Sequence, residues 1–520
     1  MGYSPVPIPG FGGGLNLRDR VDAVDPTQAI DALNVTFGTR GSVQQRAGID
    51  NLTASPLTAA GATMIPYYQT ATTPSVVVGC GTRVEAVAAA GTVTSQTGLT
   101  TGTWGFARFG TPGVEAVYFG QGSTNLNKLV NTTFTTAIAS TPEAGALCVM
   151  PASNRLVATR FLNTTGGPDG TAASSSPSHV YFSDEGAPET WTTTNYIQLT
   201  PGDGEAIQAC VAWKEFVFVF KESKFFVFTE ESADAAGAPI FNYRTVDAGV
   251  GAIGPKSVCA GTDGVYFAGR DGVYKTTGQE PQRVSGAVDP IFDSSVSASD
   301  FYQGGTLLQS QATNTALWWH NERLYVGFTS TGTANNYTLI YDPTYNWWSL
   351  TDLKAAAGCS FRRSSTPELT FCDTTNKHVY FSNSSLTSDN GTAITSRWRS
   401  GWTDFDTPTQ KTVRRSEVWG TGAVFAGMSP DFEAATGTLE LLNFADATTT
   451  TWNLEAWNVS TWATPAQLVG AHRKTSTRGT VFSLSFYNAT LDQRWSAHRL
   501  EHQIRQPRQP GVLRTEVTAS

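Results

Sequence analysis

Charged residues are scarce: Asp, Glu, Lys and Arg make up 15% of the 520 residues, against roughly a quarter in an average soluble domain. The balance is acidic, 35 Lys and Arg against 43 Asp and Glu for a net charge of −8. That excludes a general nucleic-acid binder, which needs clustered cations along the phosphate path, and points to proteins as partners. Cysteine is sparse too. Cys80, Cys148, Cys210, Cys259, Cys359 and Cys372 are scattered without a C-x-x-C pair, so they predict buried free thiols in a reducing compartment. No stretch reaches 18 apolar residues, so no membrane-spanning segment is predicted. The opening MGYSPVPIPGFGGG lacks the basic and apolar regions of a secretory signal, which predicts a chain made without a leader. What is abundant is apolar: 40% hydrophobic residues, with 14 Trp, 16 Tyr and 28 Phe, enough to fill a large core or several small ones.

Helical periodicity is nearly absent. One segment, Pro26 to Leu33 (PTQAIDAL), reads as a short helix with Asp25 as its N-cap and Pro26 at the first helical position. Elsewhere short β-branched and aromatic runs alternate with Gly, Asn, Asp, Ser and Thr clusters, the pattern of an all-β chain with many tight turns. The runs recur. Val-Tyr-Phe stands at Val117–Phe119, Val180–Phe182, Val265–Phe267 and Val379–Phe381, with related runs at Val76–Val78, Val217–Phe220 and Leu324–Phe328. The starts are spaced by about 50 residues on average, near the length of one four-stranded propeller blade. Within TDGVYFAGRDGVYKTT, Asp263-Gly264 and Asp271-Gly272 are hairpin turn pairs bracketing strands. The fold class is therefore expected to be a β-propeller of about seven irregular blades. After residue 390 the strands lengthen and alternate more cleanly, as in HRLEHQIRQ, which predicts a C-terminal β-sandwich. The expected domains are an N-terminal arm with the short helix (1–54), the propeller (55–390) and the sandwich (391–520). Closure of such a propeller draws strands from both ends of the array, which would pair the arm with the segment near residue 385.

Templates for chemistry mostly fail. Gly10–Gly14 (GFGGG) has no following Lys-Ser/Thr and no preceding strand, so it is no phosphate cradle. The six His form no H-E-x-x-H, although His498 and His502, four apart, would share one face of a strand. SDEGAPETW, Ser183–Trp191, resembles the Asp-box turn S-x-D-x-G-x-T-W of sialidase propellers, one residue short after Ser and one long before Thr-Trp. That box is a structural turn, not a catalytic site, and no pair of placed carboxylates is legible. Trp318-Trp319, Trp347-Trp348 and the group Trp452, Trp457 and Trp462 are the aromatic candidates for stacking on sugar rings, with core or interface anchoring as the ordinary alternative. A basic group, Lys411, Arg414, Arg415, Arg473, Lys474 and Arg478, is nearly cancelled by neighbouring acids. No catalytic residue, metal site or cofactor is predicted.

A more specific pattern lies in Phe11 to Ile49, FGGGLNLRDRVDAVDPTQAIDALNVTFGTRGSVQQRAGI. It resembles the opening of tail proteins of double-stranded DNA bacteriophages: a Gly-Gly-Leu-Asn stretch (Gly13, Gly14, Leu15, Asn16), a Pro-initiated helix (Pro26), an Asn-Val strand start (Asn34, Val35) and an Arg-x-Gly turn (Arg46, Gly48). SHVYFSDEGAPETW, VGAIGPKSV with DGVYFAGRDGVYK, and YDPTYNWWS are similar to blade elements of phage tail hub, nozzle and packaged-DNA stabilisation proteins. The resemblance implies a virion tail protein made in the host cytoplasm and no enzyme. It implies a ring-shaped homo-oligomer, expected as a hexamer, around a DNA exit channel. Other tail proteins would be its neighbours: an adaptor or portal on one side, fibres or spikes on the other. Packaged DNA would pass without sequence-specific contact, and residues 1–390, with 22 Lys and Arg against 32 Asp and Glu, would give an acidic lumen. The assembly residues it marks are Asn16, Asn34, Arg40, Arg46 and Gly48. The competing expectation is a glycan-binding or glycan-cleaving propeller that reads a receptor, with Trp347 and Trp348 as its contacts.

Overall fold

The structure, a computed structural model, describes residues 4–8, 10–38, 41–68, 74–100, 102–110, 115–161, 177–233, 239–295, 298, 300–433, 439–444 and 469–505. The chain divides into two compact units: residues 47–298 with 304–392, and residues 1–46 with 299–303 and 393–520. The first boundary falls at Ala47, not at residue 55. Residues 1–46 belong with the last quarter of the chain in one unit, where an arm and a separate domain were expected.

The larger unit is a β-propeller. Six separate four-stranded antiparallel sheets follow one another, over residues 61–96, 105–135, 144–198, 209–246 and 258–283, and in the set Ala355–Phe361, Glu368–Asp373, Val379–Ser382 and Ile49–Asn51. A further four antiparallel strands, Ala316–His320, Arg323–Phe328, Tyr337–Asp342 and Trp347–Thr351, lie between the fifth and the last of these in sequence. Each apolar run picked out above falls in a different set of four.

The runs are apolar throughout, without a polar alternate, because each is buried on both faces. In Ser75–Cys80, Val77 packs with Trp104, Val117 and Phe119 of the next sheet. Val76 and Val78 on the other face pack with Phe361, Val379 and Phe381 of the last sheet. The same division recurs in Phe216–Phe220, where Val217 and Val219 turn to Val157 and Phe182, while Phe218 and Phe220 turn to Val265 and Phe267. A side chain of this size buried completely contributes about 1.5–3 kcal/mol, so the core is a set of wedges between neighbouring sheets.

The last sheet is completed from the other end of the chain. Ile49, Asp50 and Asn51 pair antiparallel with Ser382, Phe381 and Tyr380, and the amide of Gly48 donates to the Leu386 carbonyl at 2.9 Å. The expected partnership of residues near 50 and near 385 takes this form.

In the smaller unit Lys411–Pro430 is a 20-residue strand shared by two sheets. Its first half pairs with Val469–Gly479 and Ser496–Arg505, its second half with Phe482–Asn488 and Glu440–Phe444. Ser4–Ile8 joins the former sheet beside Ser496–Arg505, and Ala29–Leu33 joins the latter beside Ser396–Ser400, which pairs in turn with Phe482–Asn488. The Phe405 ring lies 5.8 Å from Phe482 and 5.1 Å from His502, touching both sheets.

The expected helix at Pro26–Leu33 is a turn followed by a strand. Asp25 Oδ1 accepts from the Thr27 amide and hydroxyl at 2.8 and 2.5 Å, and the Gln28 amide reaches the Asp25 carbonyl at 2.8 Å. That turn stops at once, because all five residues of Ala29–Leu33 are buried in a strand. An apolar run this short fits a buried strand as well as a buried helix, and tertiary pairing decides. Among the described residues helix is limited to Asp289–Phe292 and two short 3-10 turns. No described helix is long and apolar enough to cross a membrane.

Candidate functional site

The marked N-terminal residues fall into two internal braces and one ligature. Asn16, 5% exposed, organises the first loop. Its Nδ2 donates to Asp19 Oδ2 and Gln28 Oε1, both at 2.8 Å, while its Oδ1 accepts from the amides of Arg18 and Asp19. Asn34 is fully buried and holds a left-handed backbone, φ +54°, a conformation that asparagine tolerates better than most residues. Its Nδ2 donates to the Thr395 carbonyl at 2.8 Å, and its Oδ1 and carbonyl accept from Arg46 Nε and amide, each at 2.9 Å. One side chain thereby ties residues 34, 46 and 395 together. Arg46 is 5% exposed, so its guanidinium is directed inward, onto Asn34. Gly48 is the ligature of the propeller: a Cβ there would stand 2.1 Å from the Ser388 carbonyl oxygen. Arg40 lies outside the described residues.

Along the propeller axis runs a cavity of about 200 Å³. Each first strand contributes to it, with Met64, Gly105, Ala146, Cys210, Val258, Leu317 and Gly358 among its lining. Gly358 allows a close approach, since a Cβ there would meet the Trp318 indole at 2.5 Å. One lining group is ionisable and basic, Lys256, whose Nζ donates to the Ala356 carbonyl at 3.1 Å. Burial pushes its ammonium below the usual lysine range. None of its described lining residues carries a carboxylate.

Trp347 and Trp348, read as sugar contacts, are corrected to core anchors: each is 1% exposed. The Trp348 ring stacks on Tyr341 at 4.6 Å and its Nε1 donates to the Val284 carbonyl at 3.0 Å, while the Arg323 guanidinium covers Trp347 at 4.9 Å. Two adjacent residues of a strand are both buried because both faces of the sheet are covered. Trp452, Trp457 and Trp462 lie outside the described residues. Lys411 likewise turns inward, its Nζ donating to the carbonyls of Asp404, Thr407 and Thr480, and is no DNA contact. The Asp-box-like segment is a turn between the third and fourth strands of its sheet. Asp184 Oδ1 accepts from Thr192 Oγ1 and Asn195 Nδ2, both at 3.0 Å, and Trp191 Nε1 donates to the Pro188 carbonyl at 3.0 Å.

His498 and His502 do not share a ligand. A register shift between Trp419 and Gly420 leaves His498 without a cross-strand partner, and its Nε2 lies 3.0 Å from Ser496 Oγ, whereas His502 Nδ1 lies 2.8 Å from Ser416 Oγ. Among the described residues no three His, Cys, Asp or Glu side chains group as a metal site. All six cysteines are free.

His502, 1% exposed, carries a testable consequence. Burial holds its imidazole down at about 3, far below the ordinary value near 6.5. Between those two values the unfolded chain takes up a proton that the folded chain refuses. Its contribution is therefore complete above about pH 6.5 and declines by about 1.4 kcal/mol per pH unit as the pH falls towards 3. In urea titrations at pH 7, 6 and 5, His502→Gln is expected to lower the acid slope of its unit's transition by one proton; equal slopes in both proteins would contradict this.

Sequence reasoning missed the ionisable groups inside the sheets. Lys221 is fully buried, its Nζ held by both oxygens of Asp203 at 2.8 and 2.9 Å and by Ser178 Oγ at 2.9 Å. Despite desolvation, that bond and those from Thr200 and the Glu205 amide hold the Asp203 carboxyl well below its usual range. Arg155, 3% exposed, binds Glu230 at 3.2 Å. Asp31 is paired with Arg397 at 2.5 Å. The available signal was a charged residue inside an apolar run, as Asp31 in AIDAL or Arg397 and Arg399 around Trp398 in SRWRS.

No family model matches the chain, and no curated protein matches it. Among solved structures it is similar to Raptor of Chaetomium thermophilum, at 10% identity and a TM-score of 0.40, over 65% of this chain but 29% of that one. It is similar to U3-55K at 9% identity and 0.38, over 64% of this chain and 98% of that one. The N-terminal part of BBS1, solved in complex with ARL6DN, compares at 11% identity and 0.39, over 66% of this chain and 99% of that one.

Proposed function

We propose that the chain is a structural component of a bacteriophage tail, a hub, nozzle or stabilisation protein of the virion and not an enzyme. In this reading the propeller has seven blades, the four strands of residues 316–351 being one of them, and the unit containing residues 393–520 is a β-sandwich. Copies form a ring, a hexamer, that retains packaged DNA until ejection and joins neighbouring tail proteins. The observation that carries the reading is the behaviour of the N-terminal motif: Asn16, Asn34, Arg46 and Gly48 each have a defined internal bond or close approach. The support lies at these four positions; the Pro26 element of the motif is a turn and a strand instead of a helix. Chain ends that are held in one unit suit a part that bears mechanical stress during ejection.

The path of DNA in such a ring lies between copies. A cavity of about 200 Å³ cannot hold a duplex whose major groove alone is about 12 Å wide, and Lys256 at its wall would hold a phosphate where an acidic lumen should let it slide. Gold-labelled antibody against the chain, applied to purified virions and viewed by electron microscopy, is expected to mark the tail and to separate a tip from a neck position. Unlabelled virions after partial disruption would overturn the proposal.

A further inference from the structure

In the smaller unit one face of the sheet formed by Ala29–Leu33, Ser396–Ser400 and Phe482–Asn488 is polar where a core-facing sheet should be apolar. Cross-strand register sets Asp31 opposite Arg399, Arg399 opposite Ser485, and Arg397 opposite Tyr487. Alternation along each strand therefore brings these five side chains to one face. Above them lies a cavity of about 240 Å³, bounded also by Phe301, Gln303 and Leu439.

Three charged side chains, Asp31, Arg397 and Arg399, line this cavity. Arg397 Nε binds Asp31 Oδ2, and the Gln303 amide reaches Asp31 Oδ1 at 3.4 Å. Arg399 spends Nε on Ser483 Oγ and one Nη on the Glu433 carbonyl, with its guanidinium 4.7 Å from the Phe301 ring. Burial works against the charge of the Asp31 carboxylate, and the nearby Arg397 and Arg399 favour it. Two donors are left over: Arg397 Nη2 and Ser485 Oγ are buried without a hydrogen-bond partner, Ser485 being 4% exposed. A buried donor without an acceptor is costly, and two beside one cavity mark the place of a missing acceptor.

We propose that this cavity binds a small monocarboxylate with a flat apolar body. One carboxylate oxygen accepts from Arg397 Nη2 and the other from Ser485 Oγ, and the body lies among Phe301, Leu439 and Tyr487. A hydrogen bond from a guanidinium to an ionised acceptor is stronger than one between neutral groups, which favours a carboxylate over an amide at Arg397 Nη2. The site is independent of the propeller and of the role proposed for it.

The test is calorimetric titration of the full chain with benzoate, with benzamide and inorganic phosphate as comparisons. Saturable benzoate binding with a dissociation constant at or below about 1 mM is expected, benzamide and phosphate binding at least tenfold more weakly. Arg397 also neutralises Asp31, so Arg397→Gln endangers the fold. Ser485→Ala does not, and it is expected to weaken benzoate about tenfold with an unchanged melting temperature. Absence of saturation, equal binding of benzamide or phosphate, or undiminished binding by Ser485→Ala would each overturn the proposal.

Discussion

Asn34→Ala is expected to destabilise the unit that holds both chain ends by about 3–8 kcal/mol. Three losses add. The left-handed backbone at φ +54° becomes a strain of about 1–2 kcal/mol for a residue without a compensating side chain. The Thr395 carbonyl loses its donor and Arg46 Nε its acceptor, each buried and each worth about 1–3 kcal/mol when left unmet. Asn34→Gly removes the side-chain bonds but relieves the backbone, so it should fall between wild type and Asn34→Ala. Urea unfolding followed by tryptophan fluorescence, reporting on Trp398 and Trp495 in this unit, gives the order. Equal stability of all three proteins would show that the Asn-Val signature has no bracing role.

Gly48→Ala should be as damaging in the other unit, by more than about 4 kcal/mol, a size reserved for a few mechanisms such as backbone collision. The new methyl carbon would sit 2.1 Å from the Ser388 carbonyl oxygen, and neither partner is a side chain that can swing away. Relief requires the chain at Gly48 to part from residues 386–388, which breaks the hydrogen bond from its amide to the Leu386 carbonyl and the one from Ser382 Oγ to its own carbonyl at 2.7 Å. Ile49–Asn51, next in sequence, would then lose its register on Val379–Ser382. The expected signs are a lowered melting temperature and protease cleavage near residue 50. A variant that melts with the wild type and resists protease would refute the ligature.

Strand positions were legible in the sequence because double-sided burial leaves an unmistakable mark: an unbroken apolar run such as VFVF, closed by turn residues. The turns were legible for the same local reason, since Asp-Gly pairs require particular backbone angles. Partnership was legible only through the general rule that a propeller closes with strands from both ends of the array, and not in its register. That Ile49–Asn51 completes a sheet with residues more than 300 positions away is a long-range fact, and a three-residue strand, IDN, carries almost no pattern. The segment PTQAIDAL failed for a related reason: its local signals of a cap and a proline are real, as the Asp25 turn shows, but they govern three residues only. Trp347 and Trp348 were ambiguous in kind, because an adjacent aromatic pair reads alike at a surface and between two packed faces. Of the marked assembly residues, Asn16, Asn34, Arg46 and Gly48 were found by resemblance, and their inward direction could be learned only from the fold. The cavity beside Arg397 had a weak signal in SRWRS, but nothing local said that Asp31 and Ser485 would meet it.

Closure of the propeller by residues near the start of the chain is tested most directly by amide hydrogen exchange of the intact protein. Ile49–Asn51 should exchange as slowly as Val379–Ser382 and lose protection together with it as denaturant is raised, one cooperative element formed from distant parts of the chain. Exchange of Ile49–Asn51 within seconds, while Val379–Ser382 stayed protected, would contradict the closure and with it the mechanical role built upon it.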